Sequence, residues 1–158
     1  MIIALDAMGG DFAPATTVEG AIEALGEDMD ISVVLVGDEP AIAAELEKRK
    51  YSGSQITIKH ASQVVEMDDS PLTAIRRKKD SSVKVAIDLV KSGSADAIVS
   101  MGNSGVVMAT ALLVLGKLPG VERPAIAAVM PSLRDHFVLI DAGANVDCKP
   151  IHNLQFRY

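Results

Sequence analysis

Gly102-Asn103-Ser104-Gly105 lies within a run, Ala97 to Gly116, that carries no charge. Two glycines let a backbone approach a ligand closely, and the asparagine and serine between them can donate side-chain hydrogen bonds. The apolar segment 97–100 reads as a buried strand, and 106–115, apolar on every side, reads as a buried helix. The quartet therefore joins the C-terminal end of a strand to the N-terminal end of a helix. Unpaired N–H groups and the helix dipole favour an anion there, and open α/β sheets bind ligands at that end of their strands. The chemistry implied is binding of phosphate or another oxyanion by Gly102, Asn103, Ser104 and Gly105. The alternative is a plain turn with Ser104 as helix N-cap, because Gly-x-x-Gly is neither a Walker loop nor a Gly-x-Gly-x-x-Gly fingerprint. A membrane-spanning reading fails on the glycines, asparagine and serines at the centre of the run.

Two other loops have a similar setting. Asp6-Ala7-Met8-Gly9-Gly10-Asp11 follows the apolar 2–5, and Asp141-Ala142-Gly143-Ala144-Asn145-Val146-Asp147 follows 137–140. Parallel strands would bring all three loops to one sheet edge as an active-site rim; the alternative is that Gly and Asp are ordinary turn residues here. Gly9 and Gly10 join the quartet as backbone able to approach the anion. A carboxylate repels phosphate, so Asp6, Asp11 and Asp141 read as loop-positioning groups. Asn145 either orients substrate or caps a turn.

The elements that must hold these loops alternate along the chain. Pro14 suits the first turn of a helix in which Thr16 and Glu19 make a capping box, Val18, Ile22 and Leu25 share a face, and Gly26 is the stop. A strand over 31–36 ends at Gly37-Asp38, with Asp38 capping a helix over 40–50, and 55–59 is a third strand. Pro71 opens a short helix, for which Asp68-Asp69 is a cap or a solvated pair. Asp80 or Ser81 caps the next helix, built on Val83, Ile87 and Val90 and ended by Gly93. Two more strands fall at 125–130 and 137–140. This order predicts an α/β fold with a doubly wound, mostly parallel sheet, in a single domain over 1–158.

Composition narrows the classes. The chain is 49% hydrophobic but 3% aromatic, which suits an aliphatic core of parallel strands covered by helices. A net charge of −6 argues against nucleic-acid binding. The single Cys148 excludes an internal disulfide and a multi-cysteine zinc site, and His60, His136 and His152 lack metal spacing, so no metal is expected. Cys148 has no adjacent base and reads as a small buried thiol rather than an acyl-carrying nucleophile. Asp6 interrupts the N-terminal apolar run, so no signal peptide is expected and the cytoplasm is the simplest compartment. Arg76-Arg77-Lys78-Lys79 is the strong positive patch, suited to an acidic partner or to drawing in phosphate. Four consecutive helical residues cannot share one face, which leaves Arg76 and Lys79, three apart, as the pair for one ligand.

Four blocks, taken in order, resemble those of the bacterial phosphate acyltransferases of phospholipid synthesis. They are Asp6 to Asp11, Arg76-Arg77-Lys78-Lys79-Asp80-Ser81-Ser82, Ser100-Met101-Gly102-Asn103-Ser104-Gly105, and Asp141 through Cys148-Lys149-Pro150. Phe12 stands where many members have histidine, so no catalytic histidine is expected in that loop; Ser104 replaces a frequent threonine and keeps its hydroxyl. The resemblance implies an α/β/α sandwich similar to the phosphotransacetylase and isopropylmalate dehydrogenase group. It implies that inorganic phosphate attacks the thioester of a fatty acyl-acyl carrier protein, giving acyl phosphate and free carrier protein without a cofactor. Arg76 and Lys79 would dock the acyl carrier protein, and the enzyme would be a homodimer, cytoplasmic and peripheral at the inner membrane face. Phosphate is already a nucleophile near neutral pH, so the protein's task is to position substrates and stabilise a tetrahedral oxyanion, with Asn103 and Asn145 the candidate catalytic residues. Family members continue for a second half, so this chain is expected to be the N-terminal half and incomplete for catalysis. Two other readings stay open: a phosphate acetyltransferase-like enzyme using acyl-CoA, and a non-catalytic fragment for carrier-protein binding or dimerisation.

Overall fold

The computed structural model describes residues 1–156, which fall into two units, Met1–Val114 and one beginning at Leu115. The first is built on a parallel sheet in the order β3 (Ile56–His60), β2 (Ser32–Gly37), β1 (Ile2–Asp6), β4 (Ala97–Val99). Helix α1 (Ala15–Glu27) links β1 to β2 and α2 (Glu39–Lys48) links β2 to β3, so the sheet grows in one direction. Helices α3 (Pro71–Arg77) and α4 (Ser82–Lys91) then return the chain across the sheet, and β4 pairs on the other side of β1. The direction of winding thus reverses between β1 and β4.

Alternation along β1 divides the core. Leu5 packs with Val18, Leu25, Leu35 and Ile42 on one face, and Ala4 packs with Val36, Ala61, Ala86 and Ala95 on the other. Covering both faces is what near-continuous apolar strands require. Leu35 and Ile42 are wholly enclosed, each worth about 1.5–3 kcal/mol of apolar burial. Helix α5 (Ser104–Val114) follows β4 and sets Val106 against Ala74, Val83 and Ile87. Its sequence is apolar all round, yet cover reaches one side only: Leu113 is 67% exposed.

Local details depart from the sequence expectations. No capping box forms at α1: Thr17, not Thr16, is drawn in, donating to Ala7 O at 2.7 Å, while Glu19 pairs with Arg49. The helix also runs through Gly26 to Glu27. Asp38 caps α2 as expected, accepting from Ala41 N at 3.2 Å. Ser70, rather than Asp68 or Asp69, caps α3. Asp80 turns to Ser62, and Ser81 precedes α4 without a side-chain cap.

In the second unit, β5 (Ala127–Pro131) and β6 (His136–Ile140) pair antiparallel in a sheet of their own, followed by α6 (Pro150–Gln155). They do not extend the parallel sheet, a correction to the expectation that parallel strands bring all three loops to one sheet edge. The reason is the connection: Ser132 N donates to Asp135 O at 2.8 Å in a tight turn, whereas a parallel crossover needs about a dozen residues or more.

Candidate phosphate site at the strand ends

Leu5 pairs with Val99, so β1 and β4 deliver Asp6 and Ser100 side by side, each opening a glycine loop. The loops meet where the winding reverses, which is where open α/β sheets bind ligands. Asp6 is 4% exposed. Ser100 Oγ donates to Asp6 Oδ2 at 2.7 Å, Met8 N donates to Asp6 Oδ1 at 3.3 Å, and Gly102 N donates to Ser100 Oγ at 3.2 Å. A Cβ at Gly9 would stand 2.7 Å from Asp6 Oδ2 and 2.8 Å from Gly102 N, so the loops pack backbone to backbone. Gly10, at φ +101°, turns the first loop through the left-handed region that glycine adopts without strain.

Asn103 caps α5, with Oδ1 accepting from Val106 N at 3.1 Å. Its Nδ2 donates to Met67 O and Asp69 O at 3.0 Å each. The amide offered to the anion on sequence grounds is therefore engaged with the helix and with the loop between β3 and α3. Ser104 is the first helical residue and exposed, not the cap. The N–H groups of Asn103, Ser104 and Gly105 find no acceptor among the described residues, as the first turn of a helix requires. With the Ser104 hydroxyl, they are the donors left for an anion.

The β3–α3 loop is held from below. Lys78 Nζ donates to Asp69 Oδ2 at 2.5 Å and Glu66 N to the same oxygen at 2.7 Å. The Lys78 bond first, then the Glu66 N–H, keep the Asp69 carboxyl below the usual carboxylate range. Of the basic run, Lys78 is thus drawn in, while Arg76, Arg77 and Lys79 are exposed. Helix α3 ends at Arg77, and Lys78 leaves helical geometry at φ −107° and ψ 64°. Arg76 and Lys79 consequently do not share a helical face, contrary to the sequence expectation. Asp11 lies exposed in the first loop.

The third loop follows antiparallel β6 in the second unit, so the parallel sheet brings two of the three loops to one edge. Asp141 accepts from Ile126 N at 2.8 Å, Ala144 N at 3.1 Å, Asn145 N at 2.7 Å and Asn145 Nδ2 at 2.9 Å. Burial pushes its carboxyl up, but these hydrogen bonds, Ile126 N first, outweigh it and hold the group below its ordinary value. Asn145 Nδ2 also donates to Pro124 O at 2.9 Å. Cys148 is exposed, not buried as expected. Among the described residues, no three His, Cys, Asp or Glu side chains gather in a way that could hold a metal.

The sequence gives Ser100 a place in a loop but no role of its own, and it offers Asp68-Asp69 only as a cap or a solvated pair. Ser100 gains meaning only from its register beside Asp6, which requires knowing that β4 pairs with β1. The 66–69 loop carries no glycine signal, and its role comes from carbonyls, which have no sequence signature.

A family model described as "Fatty acid synthesis protein" matches residues 1–158. The phosphate acyltransferases of Geobacter sulfurreducens and Myxococcus xanthus are each 54% identical to this chain, over 156 and 158 residues. Each match takes in 99% of this chain but only 45% and 44% of the relative, so the chain spans less than half the length of these relatives. Among solved structures, a phosphotransacetylase from Streptococcus pyogenes matches with TM-score 0.69 and 18% identity, over 94% of this chain and 48% of that one. The EutD phosphotransacetylase from Staphylococcus aureus matches with TM-score 0.58 and 20% identity, over 87% and 44%. At those identities the structural likeness speaks for the α/β fold. The family model, covering every residue, makes this chain a member of the fatty acid synthesis protein family.

Proposed function

We propose that this chain carries the phosphate-binding part of an acyltransferase that moves a fatty acyl group from acyl carrier protein to inorganic phosphate, in phospholipid synthesis. The observation that carries the reading is the junction of Asp6 with Ser100 and of Gly9 with Gly102 at the winding reversal. The 54% identity to proteins named phosphate acyltransferase supports it. A phosphate oxygen attacks the thioester carbonyl carbon, the tetrahedral oxyanion collapses, and the carrier-protein thiol leaves with the proton that phosphate gives up. The N–H groups of 103–105 and the Ser104 hydroxyl hold the phosphate, with the Gly9-Gly10 backbone and Gly102 alongside. Asn103 and Asn145 act by fixing their loops, as do Asp6 and Asp141.

Arg76 and Lys79, exposed at the end of α3, draw in the acidic carrier protein. The enzyme works as a homodimer in the cytoplasm, peripheral at the inner membrane face; no helix among the described residues is long and apolar enough to cross a membrane. The chain acts as the N-terminal portion of a longer protein, with the remaining catalytic groups in the part of the relatives it does not match. Trapping acyl phosphate with hydroxylamine tests the reading, on this chain and on the full-length Geobacter sulfurreducens relative. Acyl hydroxamate from acyl-acyl carrier protein, dependent on inorganic phosphate, is expected from the relative, with little or none from this chain alone. Product only from acyl-CoA would favour an acetyltransferase-like enzyme instead.

A further inference from the structure

We propose that Ser100 is a positioning residue of this site, setting the spacing of the two glycine loops so that the N–H groups of 103–105 address one phosphate. The inference rests on the phosphate reading above. A carboxylate only accepts, so the Ser100 proton goes to Asp6 Oδ2, 2.7 Å away, and a lone pair receives Gly102 N–H at 3.2 Å. This turns Gly102 N–H inward and leaves the outward donors to the residues that follow. It also gives the buried Asp6 oxygen a hydrogen-bond partner where Gly9 and Gly102 meet. Without the hydroxyl, the second loop loses its tie to β1, and a buried carboxylate oxygen is left unsatisfied beside an anion site. Both effects weaken phosphate binding.

The test is titration of the nitrogen-15-labelled 158-residue chain with inorganic phosphate, following the amide signals of Asn103, Ser104 and Gly105. The unsubstituted chain is expected to show saturable shifts. Ser100→Ala should raise the phosphate Kd about tenfold or more, the scale of a lost hydrogen bond to a charged group. Ser100→Thr, which keeps the hydroxyl, should stay near the parent value. Parental affinity in folded Ser100→Ala, or Ser100→Thr as weak as Ser100→Ala, would overturn the proposal. If Ser100→Ala does not fold, Ser100→Cys decides: similar in shape but a weak donor, it should bind weakly, and parental affinity in it refutes the role. A parent chain without phosphate-dependent shifts would instead remove the phosphate reading itself, and the Ser100 role with it.

Discussion

Gly9 and Gly102 meet with no room for a methyl group between them: a Cβ built on Gly9 would lie 2.8 Å from Gly102 N. The obstacle is backbone, which cannot swing aside as a side chain can. Parallel pairing of β1 with β4 brings the two loops together, and the hydrogen bond from Ser100 to Asp6 closes the junction. Beside this junction the first turn of α5 opens with the N–H groups of 103–105 and the exposed Ser104 hydroxyl.

Gly9→Ala should therefore destabilise the chain by about 1–3 kcal/mol, the usual scale of overpacking. Gly20→Ala is the matched control, because it lies inside α1 and an added Cβ meets nothing within 4 Å. That change should stabilise by about 0.5–1 kcal/mol, glycine being the poorer helix former. Urea unfolding of both variants checks the contrast, and equal effects of the two would refute it.

Asn103→Ala removes the α5 cap and the ties to Met67 O and Asp69 O together. Loss of a cap costs about 0.5–2 kcal/mol, and the stranded carbonyls place the expectation toward the upper end. Asn103→Asp keeps the Val106 cap but sets a carboxylate against those carbonyls, so it should be no better than alanine despite being a good cap elsewhere. Melting curves rank the two, and a clearly more stable Asn103→Asp would show that the carbonyl ties matter little.

The strands and helices around the site were legible because apolar runs ended at Gly, Pro or Asp. Ile2 to Leu5 and the Asp38 cap are cases where local pattern and tertiary structure agree, while Ala97 to Val99 forms its strand at the sheet edge, with Val99 47% exposed rather than buried. Asn103 shows where that agreement stops. Its residue type advertises hydrogen-bonding capacity, but the groups that take it up lie 34 to 36 positions away, in the 66–69 loop. The antiparallel pairing of β5 with β6 is not legible in the sequence, because apolar runs at 125–130 and 137–140 are compatible with either pairing direction. Exposure of Leu113 was hidden for another reason: an all-apolar helix states a need for cover without saying which part of the fold supplies it.

Acid should loosen the loop beside the site through Asp69. The Lys78 and Glu66 bonds lower its pKa in the folded chain, below an unfolded value of about 3.9. A lowered carboxylate pKa stabilises the fold above the unfolded value, and that contribution disappears as pH falls through the folded one. Asp69→Asn should thus lower the melting temperature at neutral pH and flatten its decline below about pH 4. Parallel melting profiles for the two proteins from pH 6 to pH 3 would exclude the linkage.

Charge reversal at Arg76 and Lys79 should raise the Kd of this chain for acyl-acyl carrier protein while leaving its Kd for phosphate in place. The increase should shrink as salt is added, because exposed charges steer partners over roughly a Debye length of about 8–10 Å. A rise in the Kd for phosphate alone would assign the patch to the small anion instead.

The β5–β6 ribbon should drive self-association of the isolated chain. Val129 and Ala127 pair with Val138 and Ile140 on one face, while Met130 and Ala128 pair with Phe137 and Leu139 on the other. Both faces are thus apolar, and every residue of β6 is exposed. A two-stranded ribbon is marginal by itself in water, its outer edges offer unpaired N–H and C=O groups, and large apolar patches mark interaction surfaces. Sedimentation of the 158-residue chain at micromolar concentration is expected to show dimers or larger species. Replacing Val129 and Val138 with lysine puts two positive charges on one face, directly opposite each other. That pair of changes should shift the chain toward monomer while the parallel sheet of the first unit stays folded. If the unsubstituted chain sediments as a monomer over a hundredfold range of concentration, the ribbon is not an association surface.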